Sequence, residues 1–182
     1  LLLMAREQHR DPLDYQGSYA GALGLPQFLP SSVRNYAVDF DGDGQIDLLG
    51  SPKDAIGSVA RYMQMHGWEA GGPVAVRASL DSDTNLAPLL AKDITPAFDS
   101  ATLASHGVRA MSSAEGAGKA AFVELVTPGQ DSEYWLGYQN FYVITRYNRS
   151  SFYAMSVFQL GEAVKVARAA AASGKDNQAR AR

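Results

Sequence analysis

The residues best suited to chemistry stand together in Asp39-Phe40-Asp41-Gly42-Asp43-Gly44-Gln45-Ile46-Asp47. Side-chain oxygens fall at the first, third and fifth places, glycine at the sixth, and Gln45 at the seventh, where a backbone carbonyl serves. This spacing suits a hard divalent cation that takes about six to eight oxygens, because Gly44 permits the sharp turn that wraps carboxylates around one point. Carboxylates so close in sequence also repel one another when no cation separates them. We therefore expect Ca²⁺ bound through Asp39, Asp41, Asp43 and Gln45, with Mg²⁺ less suited to a flexible cage of protein oxygens. The twelfth place, where an EF-hand has a bidentate glutamate, is Gly50. Asp54 is the nearest replacement further on, which lengthens the loop to 39–54, and Asp47 would contribute directly or through water. A single loop without a paired second one fits a structural rather than a sensing ion. An acidic, solvated Asx-turn loop without an ion is the alternative.

A second run, Ser18-Tyr19-Ala20-Gly21-Ala22-Leu23-Gly24-Leu25-Pro26-Gln27-Phe28-Leu29-Pro30-Ser31-Ser32, has small residues where a backbone must approach something closely. It lacks the lysine of a P-loop and the strand-turn-helix setting of a dinucleotide turn. The residues by themselves describe either a cleft wall offering the Gln27 amide and the Ser18 hydroxyl to a polar ligand, or a tight structural loop with Gln27 buried against backbone. The histidines, His9, His66 and His106, show no HExxH spacing, and there is no GxSxG elbow. The absence of cysteine removes thiolate zinc sites, cysteine nucleophiles and disulfide scaffolds.

The elements that must position these residues are partly legible. Leu1-Leu2-Leu3-Met4-Ala5-Arg6-Glu7 reads as the last turns of an apolar-faced helix whose start lies before Leu1, without the basic region of a signal peptide. Asp11 to Gly24 reads as a shaped loop. A short helix follows, with Ser31 and Ser32 as N-cap candidates and Val33, Tyr36 and Ala37 as its apolar positions. Ser51-Pro52-Lys53-Asp54 is a strong helix start, with the helix running to about His66 and Ile56, Val59, Ala60 and Met63 forming its core-facing stripe. From Val74 to about Glu133 short β-like runs, notably 74–78 and 121–126, alternate with turns, and a short helix fits near Pro88 to Leu90. Tyr134 to Tyr147 is rich in aromatics. Ser151 to Ala172 reads as a long helix with Met155, Phe158, Val164 and Ala167 inward, followed by a polar, frayed tail over 174–182. No repeat and no apolar span of about 20 residues is present.

The glycine-glutamine run resembles the corresponding motif of the goose-lysozyme-like lytic transglycosylases, and its Gln27-Phe28-Leu29-Pro30-Ser31-Ser32 ending is similar to the lytic murein transglycosylase B family in particular. The acidic loop follows it in that family too, then a helix like Asp54-Ala55-Ile56-Gly57-Ser58-Val59-Ala60-Arg61-Tyr62 with His66-Gly67-Trp68. Further on, Tyr134-Trp135-Leu136-Gly137-Tyr138-Gln139-Asn140-Phe141-Tyr142-Val143-Ile144-Thr145-Arg146-Tyr147-Asn148-Arg149-Ser150 resembles the family's aromatic wall. The resemblance covers residues 1–170 in order. Only Pro26 and Leu29 depart from it, standing where a small residue and methionine are expected.

The resemblance implies an α+β fold, a mostly helical lysozyme-like core with an EF-hand-like calcium loop and a small β-containing insertion. Its segments would be 1–72 for the core with both loops, 73–133 for the insertion, and 134–173 for the return to the core. It implies cleavage of the MurNAc-GlcNAc β-1,4 bond of peptidoglycan with formation of 1,6-anhydromuramoyl ends. One glutamate serves as acid and base, unlike the two carboxylates of most glycosidases. In the family that glutamate lies upstream of this motif, so it would precede Leu1 and no catalytic residue is assigned within the chain. Glu7, Glu69, Glu115, Glu124, Glu133 and Glu162 have no matching context. Ser18 and Gln27 would flank the acid and bind an N-acetyl group or the glutamate itself, while Phe28, Tyr62, Tyr147 and Asn148 would line the glycan cleft. Asn140 and Tyr142 fit core or cleft equally.

Composition sets the outer bounds. With 182 residues, 46% hydrophobic and 19% charged, the chain can build one substantial core and is neither disordered nor fibrous. Sixteen Lys+Arg against 19 Asp+Glu give a net charge of −3, which supplies no electrostatic footprint for nucleic acid or an anionic membrane. The resemblance implies a monomer in the bacterial periplasm acting on glycan strands, with cell-wall synthesis or remodelling proteins as partners. Any lipid anchor would sit on the segment before Leu1. The competing reading is a non-catalytic, calcium-stabilised peptidoglycan- or protein-binding module.

Overall fold

The computed structural model describes residues 1–114 and 116–180, with side chains as far as 172. Glu115 thus lies outside the described residues. The chain divides into two compact units, Leu1–His66 and Gly67–Arg182.

In the first unit, helix α1 (Leu2–Glu7) buries Met4 and Ala5 and packs on α2 (Pro30–Tyr36). The Arg34 guanidinium grips the Glu7 carboxylate through two bonds of 2.7 Å. Both groups are exposed, so the pair fixes geometry more than it stabilises. Ser31 and Ser32, expected as N-caps, lie inside α2. Pro30 takes the first helical position and Leu29 the cap, because a proline's fixed φ suits that place and its missing N–H goes unused there anyway.

Between α1 and α2 the chain is more ordered than its composition suggests. Asp11 caps a single 3₁₀ turn, Pro12–Asp14, by accepting the Leu13 amide at 2.8 Å. The next segment folds into a narrow ladder in which Leu23 bridges Gly17 on one side and Phe28 on the other. The turn at its tip is closed by the Gly21 amide on the Ser18 carbonyl at 2.8 Å.

Helix α3 (Pro52–Met65) starts as its sequence predicts, with Ser51 accepting the Asp54 amide at 3.3 Å, and it stops at His66 before Gly67, whose φ of 90° breaks the helix. Its buried face is a correction to the apolar stripe. Asp54, Ala55, Ser58 and Tyr62 face inward, whereas Ala60 is exposed and Ile56 is 67% exposed; Val59 and Met63 are half-buried. The reason is hydrogen bonding. Asp54 accepts the amides of Phe40 (2.8 Å) and Asp47 (2.9 Å), and Ser58 accepts that of Val38 (3.0 Å). Polar side chains so satisfied can be buried at little cost, and they supply the partners that an irregular loop needs.

The second unit is built on a four-stranded antiparallel sheet in the order β2-β1-β4-β3, from β1 (Ala75–Leu80), β2 (Val108–Ala110), β3 (Ala121–Leu125) and β4 (Glu133–Gly137). Strand β4 pairs on both sides, Leu136 opposite Val76 and Phe122. The sheet therefore includes residues that the sequence assigns to the aromatic return segment. Phe122 and Leu136 join Leu89 of α4 (Ala87–Leu90), Leu103 of α5 (Ser100–Ser105), Val108 and Phe98 in one apolar cluster. Trp135 lies beside Val123 in register, and its ring meets Phe158 edge-on at 6.5 Å. Its indole N–H donates to Glu133 at 3.1 Å, and Arg77 pairs with the same carboxylate at 2.9 Å while lying 5.1 Å above the ring.

Gly137 leads into α6 (Gln139–Tyr147). A Cβ at Gly137 would stand 2.7 Å from the Phe141 ring, so glycine is what allows that buried ring to sit against the strand end. Asn140 is fully buried. Its Oδ1 accepts the Glu69 amide at 2.8 Å, and its Nδ2 donates to the carbonyls of Glu69 (2.8 Å) and Gly72 (2.9 Å). It is therefore a core residue that ties down the 69–72 turn. Helix α7 (Ser151–Arg180) packs on α6 and β3 through its first turns, which bury Ala154 and Met155 and half-bury Phe158. Val164 and Ala167, expected inward, are exposed because the helix outruns the surface it packs on. Its backbone continues through Arg180. The tail expected over 174–182 thus overlaps α7, and its side chains, with all of residues 181 and 182, lie outside the described residues. No helix among the described residues is long and apolar enough to cross a membrane.

Candidate functional site

Gln27 stands in the left-handed region of backbone space, as His9 of the same unit also does with a φ of 50°. The φ of Gln27 is 51°, a left-handed conformation that costs a non-glycine residue free energy and persists only where the surroundings enforce it. The enforcement is visible: the Gly24 carbonyl accepts both the Gln27 backbone amide at 3.1 Å and its Nε2 at 2.9 Å. Both flanking residues are buried, while the Gln27 side chain is exposed. The structure therefore matches neither sequence alternative fully, since Gln27 is bonded to backbone but not buried. Beyond the Gly24 bond, this exposed amide has an acceptor oxygen and a second N–H donor, a pair that suits an amide-bearing ligand.

Ser18 lies on the same narrow ladder. Its Oγ accepts the Ala22 amide at 3.1 Å, which leaves the hydroxyl hydrogen to donate. Phe28 is only 3% exposed and Tyr62 only 7%. Their rings lie 5.8 Å apart, and Tyr36 meets Tyr62 edge-on at 4.8 Å. Phe28 and Tyr62 thus form a buried, tilted aromatic pair beside the Gln27 turn. His66 stacks on Tyr62 at 4.0 Å with an interplanar angle of 20°, and its Nδ1 lies 2.8 Å from the Tyr62 carbonyl. His66, which has no metal-ligand spacing in the sequence, stands four residues after Tyr62 at the C-cap of α3, and that interval brings the two rings together.

The acidic loop is ordered by its own side chains. Asp39 Oδ1 accepts the amides of Gly42 (2.7 Å) and Asp43 (3.2 Å), and Oδ2 that of Gly44 (2.8 Å). Asp43 accepts the Gln45 amide at 2.8 Å, and Asp47 those of Leu49 and Gly50 at 2.9 and 2.8 Å. The result brings ligand atoms of Asp39, Asp41 and Asp43 within 4.8 Å of one another. Lys53 lies 3.9 Å from Asp41. Three carboxylates at this separation fit a divalent cation. Asp54 is not in that group. Buried beneath the loop, it spends an oxygen on each of the Asp47 and Phe40 amides, and these bonds, that from Asp47 first, hold its carboxyl below the usual range. Gln45 would offer its carbonyl.

In the second unit, Tyr147 closes α6 half-buried, its ring parallel to that of Tyr153 at 6.5 Å. Asn148, the C-cap of α6, is exposed, and its carbonyl accepts the Ser150 amide at 2.7 Å. Of the glutamates, Glu7 is held below its ordinary pKa, chiefly by its hydrogen bond to Arg34, the opposite of what a general acid near neutral pH requires. Glu133 is tied to Arg77 and Trp135, and Glu162 to Lys165 at 2.6 Å.

Comparisons with known proteins agree with one another. The chain is 47% identical over 167 residues to the membrane-bound lytic murein transglycosylase B of Escherichia coli (strain K12), a match covering 92% of this chain and 44% of that protein. It superimposes on the E. coli lytic transglycosylase Slt35 in complex with calcium at a TM-score of 0.78 and 45% identity, covering 92% of this chain and 52% of the other. SltB3 of Pseudomonas aeruginosa in complex with NAG-anhNAM-pentapeptide gives 0.70 and 32%, covering 86% and 42%. The chain thus spans about half, or less, of the length of the relatives it matches. The family described as the transglycosylase SLT domain matches residues 1–162, and on that match and the E. coli relative the chain belongs to this family.

Proposed function

We propose that these residues form the substrate-facing part of a lytic transglycosylase that cleaves the MurNAc-GlcNAc β-1,4 bond of peptidoglycan and leaves 1,6-anhydromuramoyl ends. The observation that carries the reading is the left-handed turn at Gln27, which holds a side-chain amide out of a glycine-rich ladder in a chain of this family. In this reading Gln27 and Ser18 bind an N-acetyl group or steady the catalytic carboxyl. Phe28 and Tyr62 underlie them; Tyr147 and Asn148, in the second unit, are further glycan contacts that the family resemblance implies. The acid/base glutamate is supplied from before Leu1. It protonates the glycosidic oxygen and then takes the proton of the C6 hydroxyl, which attacks the anomeric carbon in place of water.

Asp39, Asp41 and Asp43, with the Gln45 carbonyl and Asp54 close by, hold a structural calcium ion. Bound there, the ion neutralises carboxylates that otherwise repel. The calcium complex of Slt35 supports this assignment. The E. coli relative, described as membrane-bound, and the muropeptide bound to SltB3 support action on glycan strands in the periplasm. The decisive experiment incubates purified murein with the protein extended upstream through the glutamate-bearing helix. Release of 1,6-anhydro muropeptides is expected, and reducing ends would refute transglycosylation. The 182-residue chain alone should release neither, and turnover by it would show that the acid lies within residues 1–182.

A further inference from the structure

The acidic loop and the Gln27 turn touch through backbone atoms. Leu25 donates its amide to the Leu48 carbonyl at 2.7 Å. Gly24 lies so close to Leu48 that a Cβ on it would stand 2.4 Å from the same oxygen. Leu48 follows Asp47, whose amide is anchored on Asp54 and whose carboxylate holds the amides of Leu49 and Gly50. On the other side, the Gly24 carbonyl carries both bonds that hold Gln27. A continuous path thus runs from the acidic loop through Leu48 to Gly24 and Leu25, and from there to the Gln27 side chain.

The nature of this path matters. Backbone atoms in close contact have no rotamers with which to absorb a displacement, so a shift of Leu48 is passed to Gly24 rather than dissipated. Gln27 is also in a conformation that its neighbours must impose, which makes it responsive to small changes in the Gly24 carbonyl. We propose that the Leu48 carbonyl is a positioning group, so that cation occupancy of the acidic loop sets the placement of the Gln27 amide and couples cation affinity to glycan affinity. This rests on the reading of both sites given under Proposed function. By linkage the coupling is reciprocal, with glycan tightening the cation by the same factor.

A ¹H–¹⁵N NMR titration of the chain with CaCl₂, starting from chelator-treated protein, tests it. The Leu25 amide and the Gln27 side-chain NH₂ should shift in step with the amides of Gly42 and Gly44 and with the same apparent Kd, and Asp43→Ala should abolish all four responses. Chitotetraose, the glycan probe, should bind at least about fivefold more tightly at saturating calcium than in chelator. If Gly42 and Gly44 respond while Leu25 and Gln27 do not, or if chitotetraose binds equally in both conditions, the coupling is overturned and the cation site stands. If Gly42 and Gly44 are silent, the cation site falls and the coupling with it. If chitotetraose binds in neither condition, the glycan role of Gln27 and the coupling both fall.

Discussion

Replacing Asn140 with alanine should destabilise the second unit by about 3–4 kcal/mol. The number follows from the partners lost. Asn140 makes three hydrogen bonds to the 69–72 turn, at 2.8, 2.8 and 2.9 Å, from a fully buried side chain, and each is worth about 1 kcal/mol net. The Glu69 carbonyl keeps the Gly72 amide at 3.0 Å, but the Glu69 amide loses its partner, and the small cavity left by the amide adds roughly a further fraction of a kcal/mol. For a chain of this length that corresponds to a fall in Tm of about 6–16 °C. Urea unfolding followed by circular dichroism measures it, with the slope m unchanged if the transition stays cooperative. Asn140→Asp should be at least as damaging, because it keeps the acceptor for the Glu69 amide but turns a carboxylate oxygen toward two carbonyls. A loss below about 1 kcal/mol for the alanine variant would refute the argument and return Asn140 to the candidate glycan contacts.

Gly137→Ala should cost about 1–3 kcal/mol, since the added methyl meets the Phe141 ring at 2.7 Å in a packed core; thermal melts check it, and an unchanged Tm would mean the ring can move. Calcium should raise the melting temperature, and Asp39→Ala or Asp43→Ala should remove that rise; an unchanged wild-type melt would refute the ion site. The Asp54 carboxyl, held low by loop amides, contributes stability that is present above about pH 4 and is lost as pH falls through its folded value. Asp54→Asn should therefore flatten the acid limb of a stability–pH profile, and an unaltered limb would show that other carboxylates govern acid unfolding.

Features encoded in consecutive residues were legible in the sequence. Ser51-Pro52-Lys53-Asp54 announces the start of α3, and the spacing of Asp39, Asp41 and Asp43 announces their convergence. What faces the core of the first unit was not legible, because Asp54 and Ser58 look like solvent residues until the loop amides that they satisfy are known. Strand β4 was hidden for a similar reason. Tyr134-Trp135-Leu136-Gly137 suits an aromatic wall as well as a strand, and only its pairing with β3 and with β1, the latter more than fifty residues away, decides between them. The glycine-rich run was recognisable as a place of close approach, but that Gly24 approaches the acidic loop itself depends on tertiary contact alone.

The two tryptophans of the chain, Trp68 and Trp135, both belong to the second unit, and Trp135 sits between Arg77, Glu133 and Phe158. The first unit has only phenylalanine, tyrosine and histidine in its aromatic cluster. Intrinsic tryptophan fluorescence therefore arises wholly from the second unit, and the unit that carries Gln27 and the acidic loop has no tryptophan of its own. A Phe40→Trp reporter on the exposed acidic loop would give the first unit its own signal.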